Sequence, residues 1–180
     1  MQVAAHRGVR TDLRFGMTHH DESPRFIADA MLGRLARWLR VLGYDTLYDP
    51  AVADPELVRM ADLEGRTLLT RDRPLLRERR PARALEVRSD DPLRQLRDLV
   101  DALDLAPPSE LFTRCLVCNA VLSTPLSPAD AAAVVPPNAR GLPGPVRRCQ
   151  SCGRIYWPGS HARRMRQTLE RVLPGWGGPD

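Results

Sequence analysis

The chain has 180 residues, 43% of them apolar and 27% charged, and a formal net charge of +5. That length holds one ordinary domain and a small module rather than two full domains. With no apolar run near the roughly 20 residues that span a bilayer, and no apolar signal core at the N-terminus, membrane and secreted classes are disfavoured and a cytoplasmic location is expected.

All 27 cationic side chains are arginine. Between Pro24 and Pro108 fifteen arginines meet fifteen acids, whereas from Ser109 onward nine arginines meet four acids, so the excess charge lies in the C-terminal part. A basic module beside a neutral one suits an anionic partner, nucleic acid first, although solubility alone accounts equally well for the charge.

Residues 1–23 show no periodicity and are expected to be a disordered leader. His19 and His20 are read there as solvated tail rather than as metal ligands. From Pro24 the pattern sharpens. Arg25-Phe26-Ile27-Ala28 reads as a buried strand ending at Asp29. Leu32, Leu35, Leu39 and Leu42 recur at helical spacing, with Arg34, Arg37 and Arg40 among the outward positions and Gly43 as a stop. Tyr44 to Tyr48 is a strand. Asp54-Pro55 opens a helix, Asp as cap and Pro at the first position, which runs to Gly65. Thr67 to Thr70 is a buried strand followed by Arg71-Asp72, a short helix follows, Leu85 to Val87 is a strand, and Pro92 to Leu105 an amphipathic helix. Strands alternating with helices predict an α/β domain over 24–108, a parallel sheet covered by helices.

Ala106-Pro107-Pro108-Ser109 reads as a linker. Beyond it a small module is expected over 109–173 and a disordered tail over 174–180, with one short helix starting at Ser127-Pro128. Cys115-x-x-Cys118 and Cys149-x-x-Cys152 have the spacing of two zinc knuckles. A two-residue gap lets one tight turn aim two thiolates at one ion, and two such turns complete a tetrahedron. Such a site is a closed, structural Zn²⁺ site in a zinc ribbon, with Gly153 at a φ > 0 position and 154–157 as the strand behind the metal; disulfides are the competing reading. The module is expected to unfold alone when a cysteine is lost, sparing the sheet domain.

Asp29, Asp54 and Asp72 each fall at a strand C-terminus or a helix N-terminus. In a parallel sheet these lie on one edge, where three carboxylates would suit Mg²⁺ or Mn²⁺. Glu56, Asp90 and Asp91 are secondary candidates. Asp54 serving only as a cap, or Asp72 only opening a turn, remains open.

Phe26-Ile-Ala-Asp29, Met31-Leu-Gly-Arg-Leu-Ala-Arg-Trp-Leu-Arg40, Gly43-Tyr-Asp45, Leu68-Leu-Thr-Arg-Asp72, Arg114-Cys-Leu-Val-Cys-Asn119 and Tyr156-Trp-Pro-Gly-Ser-His161 together resemble the Mut-seven C-terminal RNase domain family. The resemblance implies a PIN-like fold with a C-terminal zinc ribbon and a metal-dependent ribonuclease with Asp29, Asp54 and Asp72 as catalytic acids. PIN nucleases usually carry a further acid on the helix after the first strand. Met31 to Gly43 contains none, leaving Glu56, Asp90 or Asp91 to supply it. Expected RNA contacts are Arg34 and Arg71 beside the acids and Arg148, Arg154, Tyr156, Trp157, His161, Arg163 and Arg164 in the module. Either aromatic would serve instead as packing behind the zinc. A non-catalytic RNA- or ribosome-binding adaptor on the same fold is the rival reading.

Overall fold

The computed structural model describes residues 23–122 and 124–178; the leader, with His19 and His20, lies outside the described residues apart from its last residue. Four short parallel strands form the sheet: β1 (Phe26–Ala28), β2 (Thr46–Tyr48), β3 (Thr67–Thr70) and β4 (Ala84–Glu86), in the order β2-β1-β3-β4. The connections are helical: α1 (Gly33–Val41) after a 3₁₀ turn at Ala30–Leu32, α2 (Asp54–Glu64), α3 (Arg73–Arg79), and α4 (Pro92–Leu103) after the last strand. Because β2 lies on one side of β1 and β3 on the other, the chain reverses its direction of travel between β1 and β3. That crevice is the topological switch point, the place where parallel sheets bind ligands.

The local chemistry accounts for the boundaries. Gly43 follows α1 with φ +85°, and a Cβ there would stand 2.7 Å from Thr113 Oγ1, so glycine both ends the helix and admits the following segment. Asp91 caps α4 by accepting from the Leu93 and Arg94 amides through Oδ1. Asp54 is not the cap expected of it: Ala53 takes that position, and Asp54 is the first residue of α2, with Pro55 next.

The C-terminal part holds α5 (Pro128–Val134), a two-stranded antiparallel ribbon of β5 (Arg147–Arg148) and β6 (Ile155–Tyr156), and a helix not anticipated from the sequence, α6 (Ser160–Val172). Its buried Met165 and Leu169, with Leu173 and Trp176 beyond it, join Phe26, Leu35, Leu39, Leu96 and Leu99 in one core. Leu111 and Leu116 enter the same core. Residues 174–178, expected in a disordered tail, are therefore anchored: Trp176 is buried and the Glu170 carboxylate accepts from the Gly175 and Gly177 amides. The Pro-rich linker separates two patterns of sequence, but the main core draws residues from both sides of it.

Candidate active site and metal centre

Asp29 leaves the end of β1 and is 7% exposed. Its Oδ1 accepts from the Met31 amide at 3.1 Å, and its Oδ2 accepts from Thr70 Oγ1 at 2.5 Å. The fully buried Thr70 hydroxyl in turn accepts from the Asp72 amide at 2.9 Å, so one hydroxyl ties the ends of β1 and β3 together across the switch point. Asp72 caps α3 through Oδ1, accepting from the Leu75 amide at 2.9 Å, and keeps a second oxygen. None of the ion pairs among the described residues involves Asp29 or Asp72, despite the surrounding arginines. A buried carboxylate is ordinarily paired with a cation or coordinates a metal. Asp29 is held by hydrogen bonds on both oxygens and by no ion pair.

Beside this crevice lies a cavity of about 550 Å³ whose lining includes Arg34 from α1, Tyr48 from β2, Arg71 from the end of β3, and Asp90. Asp90 pairs with the half-buried Arg71, and Glu56 is held bidentate by Arg59 one turn along α2, at 2.6 and 2.7 Å. Both secondary acids are thus engaged by arginine. Asp54 is exposed at the start of α2, and no hydrogen bond ties it to Asp29 or Asp72. Among the described residues the four cysteines are the group of three or more His, Cys, Asp or Glu side chains that lie close enough to share an ion. Asp29, Asp54 and Asp72 form no such group, so the sheet edge is not a three-carboxylate cage.

The cysteines are placed differently. Their four sulfurs lie within 4.8 Å of one another, with Cys115–Cys152 at 3.6 Å and Cys118–Cys149 at 3.4 Å. A tetrahedron of sulfurs at about 2.3 Å from Zn²⁺ has edges of about 3.8 Å, whereas a disulfide needs about 2.05 Å. The spacing fits the ion and excludes the disulfide reading here. Gly153 closes the second knuckle at φ +73°.

The thiols are unevenly poised. Burial pushes Cys115 up, but the Cys118 amide, the Tyr156 hydroxyl and the Val117 amide outweigh it and bring it down to about 6. The Arg154 amide favours the Cys152 thiolate, yet burial and the three neighbouring sulfurs push it up to about 12. Four thiolates this close repel one another unless a dication stands between them. Tyr156 is the aromatic behind the site: its hydroxyl lies 3.0 Å from Cys115 Sγ and accepts from the Leu116 amide at 3.0 Å. This is the structural role that the sequence offered for one of the two aromatics as the alternative to RNA contact.

The first knuckle is bolted to the sheet domain by residues whose role the sequence did not disclose. Arg40, expected to face outward, is 4% exposed and donates from Nε to the Thr46 carbonyl at 2.9 Å. Its Nη1 donates to the Leu116 and Val117 carbonyls inside the knuckle, at 3.3 and 2.9 Å. Asn119, at φ +69°, accepts from the Thr46 amide and donates to Asp45 Oδ1. Asp45 also pairs with Arg66 at 2.7 Å and with Arg114 at 3.6 Å. The only sequence signal was proximity in the motifs: Arg40 ends the long arginine-leucine run, and Asn119 directly follows Cys118.

Of the other expected RNA contacts, Arg148, Arg154, His161, Arg163 and Arg164 are exposed on the ribbon or on α6, and His161 Nε2 accepts from Arg37 of α1 at 3.1 Å. Trp157 is half-buried over Gly159, where a Cβ would come within 2.7 Å of the indole nitrogen. No helix among the described residues is long and apolar enough to cross a membrane. The family model of the Mut7-C RNAse domain matches residues 24–169. No curated protein and no solved structure matches the chain.

Proposed function

Since the chain belongs to the Mut7-C RNAse domain family, we propose that it is a divalent-metal-dependent ribonuclease acting at the carboxyl edge of its sheet, with RNA as the substrate. The observation that carries this reading is the unpaired, buried Asp29 joined through Thr70 to Asp72 at the switch point. Asp29 and Asp72 would hold Mg²⁺ or Mn²⁺, with Asp54 a third carboxylate only if α2's first residue swings toward them, and the ion when bound would supply an acidified water and offset charge developing on the phosphate. Thr70 fixes the Asp29 carboxylate by hydrogen bonding. Arg34 and Arg71 receive phosphate oxygens, and Asp90 orients the Arg71 guanidinium, an arrangement suited to a planar fork meeting an anion. Four cysteines hold a structural Zn²⁺, and the exposed arginines of the ribbon and α6 supply a salt-sensitive contact with the RNA backbone.

The second reading is an RNA-binding adaptor without catalysis, favoured by the failure of the carboxylates to form a group of three among the described residues. Cleavage of labelled single-stranded RNA in Mg²⁺ or Mn²⁺ separates the two. Asp29→Asn keeps an acceptor for the Met31 amide, and the Thr70 hydroxyl can rotate to accept from the new amide, so the fold should survive. Activity should fall roughly a thousandfold, which corresponds to about 4 kcal/mol of transition-state stabilisation. Wild-type protein that is folded, zinc-loaded and inert in both metals leaves the adaptor reading standing.

A further inference from the structure

A second cavity, of about 690 Å³, lies where the ribbon and α6 meet α1. Its walls include Leu111, Phe112, Leu116, Trp157 and Met165, and Arg37, Arg154 and Arg166 stand among the lining residues. The acid there, Glu110, is already held by Arg147 at 2.5 Å, so the charge presented is cationic. Phe112 adopts φ +62°, a conformation costly for a bulky side chain and tolerated mainly where the surroundings enforce it. Here its amide is pinned to the Val41 carbonyl, and its ring lies 5.4 Å beneath the Arg166 guanidinium.

We propose that this cavity is a subsite for one unpaired nucleotide of the RNA strand, the base lying among Phe112, Trp157 and Met165 and the phosphate on the arginines. Bases splayed from single strands stack on aromatic rings and guanidinium planes, and a stacking cavity lined with cations matches both halves of a nucleotide. An apolar peptide would match only the walls. The two cavities share α1 as a wall. Arg34 lines the edge cavity and Arg37 the ribbon cavity, and both are exposed. They are i, i+3 neighbours on one helix face, about 5–6 Å apart at Cβ. A strand held by its base at the ribbon therefore reaches the edge cavity, beside the carboxylates, after crossing one helical turn, which selects for an unpaired flank beside the scissile phosphate. The identity of the ligand rests on the ribonuclease reading; the existence of the subsite rests on the cavity.

The two cavities carry separate reporters, Met165 in the wall of one and the exposed Met31 in the lining of the other. Methyl NMR of the full chain carrying Asp29→Asn, titrated with a single-stranded octauridylate, should move both methyl signals. Ala162→Trp, which fills the ribbon cavity from α6, should abolish the Met165 response and weaken binding at least tenfold while Met31 still responds. Movement of Met31 alone in the parent chain overturns the subsite and leaves the ribonuclease reading intact; movement of neither also overturns the subsite, and the ribonuclease reading then stands or falls on cleavage by the native chain. An acidic peptide such as hexaglutamate that displaces the oligonucleotide at equal concentration also overturns the subsite, because charge without a base would then suffice. The parent-chain titration decides the matter even if the tryptophan variant does not fold.

Discussion

Replacing Arg40 with methionine tests whether the knuckle and the sheet domain are one cooperative unit. The guanidinium serves three carbonyls, those of Thr46, Leu116 and Val117, from a nearly fully buried position. Burial lowers its pKa, and the nearby Cys115 and Cys118 oppose that shift. Each orphaned buried acceptor costs about 1–3 kcal/mol, partly offset because a buried charge is also removed, so a net loss of about 3–5 kcal/mol is expected. On a typical total of about 5–15 kcal/mol that is a large fraction, and for a chain of this size it lowers Tm by roughly 10 °C. Arg40→Lys should recover part of the loss, since a single ammonium cannot span Thr46 and the knuckle at once. Hydrogen exchange resolves where the loss falls. Amides of β1 and β3 should lose protection together with those around Cys115. Loss confined to residues 113–122, with β1 and β3 unchanged, would refute the coupling.

Purified protein should carry close to one zinc per chain, and Cys149→Ser or chelation should lower a single melting transition of the whole chain; an unchanged upper transition belonging to the sheet domain would show that the cores are separable. Burial pushes the Asp45 carboxyl up, but bonds from Arg66 and Asn119 and the charge of Arg114 outweigh it and hold the group below its ordinary value. A depressed folded-state value means that the unfolded chain binds the proton first, so this stabilisation is full above about pH 5 and is lost as pH falls through the folded value. Asp45→Asn should therefore reduce the urea midpoint at pH 7, and the difference from the parent should shrink as pH falls below about 4; a difference that stays constant as pH falls would assign the loss to packing and not to charge.

The strands, most of the helices and the zinc knuckles were legible because each is a local pattern. β1 and β3 are continuous apolar runs, α4 has a cap and a stripe, and two thiols at a two-residue gap point to one ion whatever surrounds them. What escaped was non-local. α6 is rich in arginine, with Met165 and Leu169 as its buried apolar anchors and Leu173 just beyond it, and the Pro- and Gly-rich stretch before it reads as the edge of a domain. Only the docked structure shows those anchors completing the core around Leu96 and Leu99. Arg40 failed for the same reason. In the linear pattern it follows Arg34 and Arg37 at helical spacing, and nothing local says that a knuckle seventy-five residues later covers that side of α1.

The carboxylates show how far strand-end reasoning goes. Period and punctuation put Asp29 and Asp72 at the ends of parallel strands, and parallel topology brings those ends to one edge. Whether they act together depends on the side chain between them. Thr70 precedes Asp72 by two residues, so its hydroxyl can take the Asp72 amide, and the 2-1-3 strand order sets β3 beside β1, so the same hydroxyl reaches Asp29 Oδ2. Valine at position 70 would preserve the shape and remove both bonds. Asp54 has no such tether. Its place is set by how α2 packs against the sheet, through Leu57, Val58 and Ala61 on Ile27 and Leu68, and that packing specifies the helix axis better than the direction of a side chain at its first residue. In the proposed ribonuclease an acid so weakly held would be the member of the set that moves on binding, whereas Asp29, fixed on both oxygens, would stay in place.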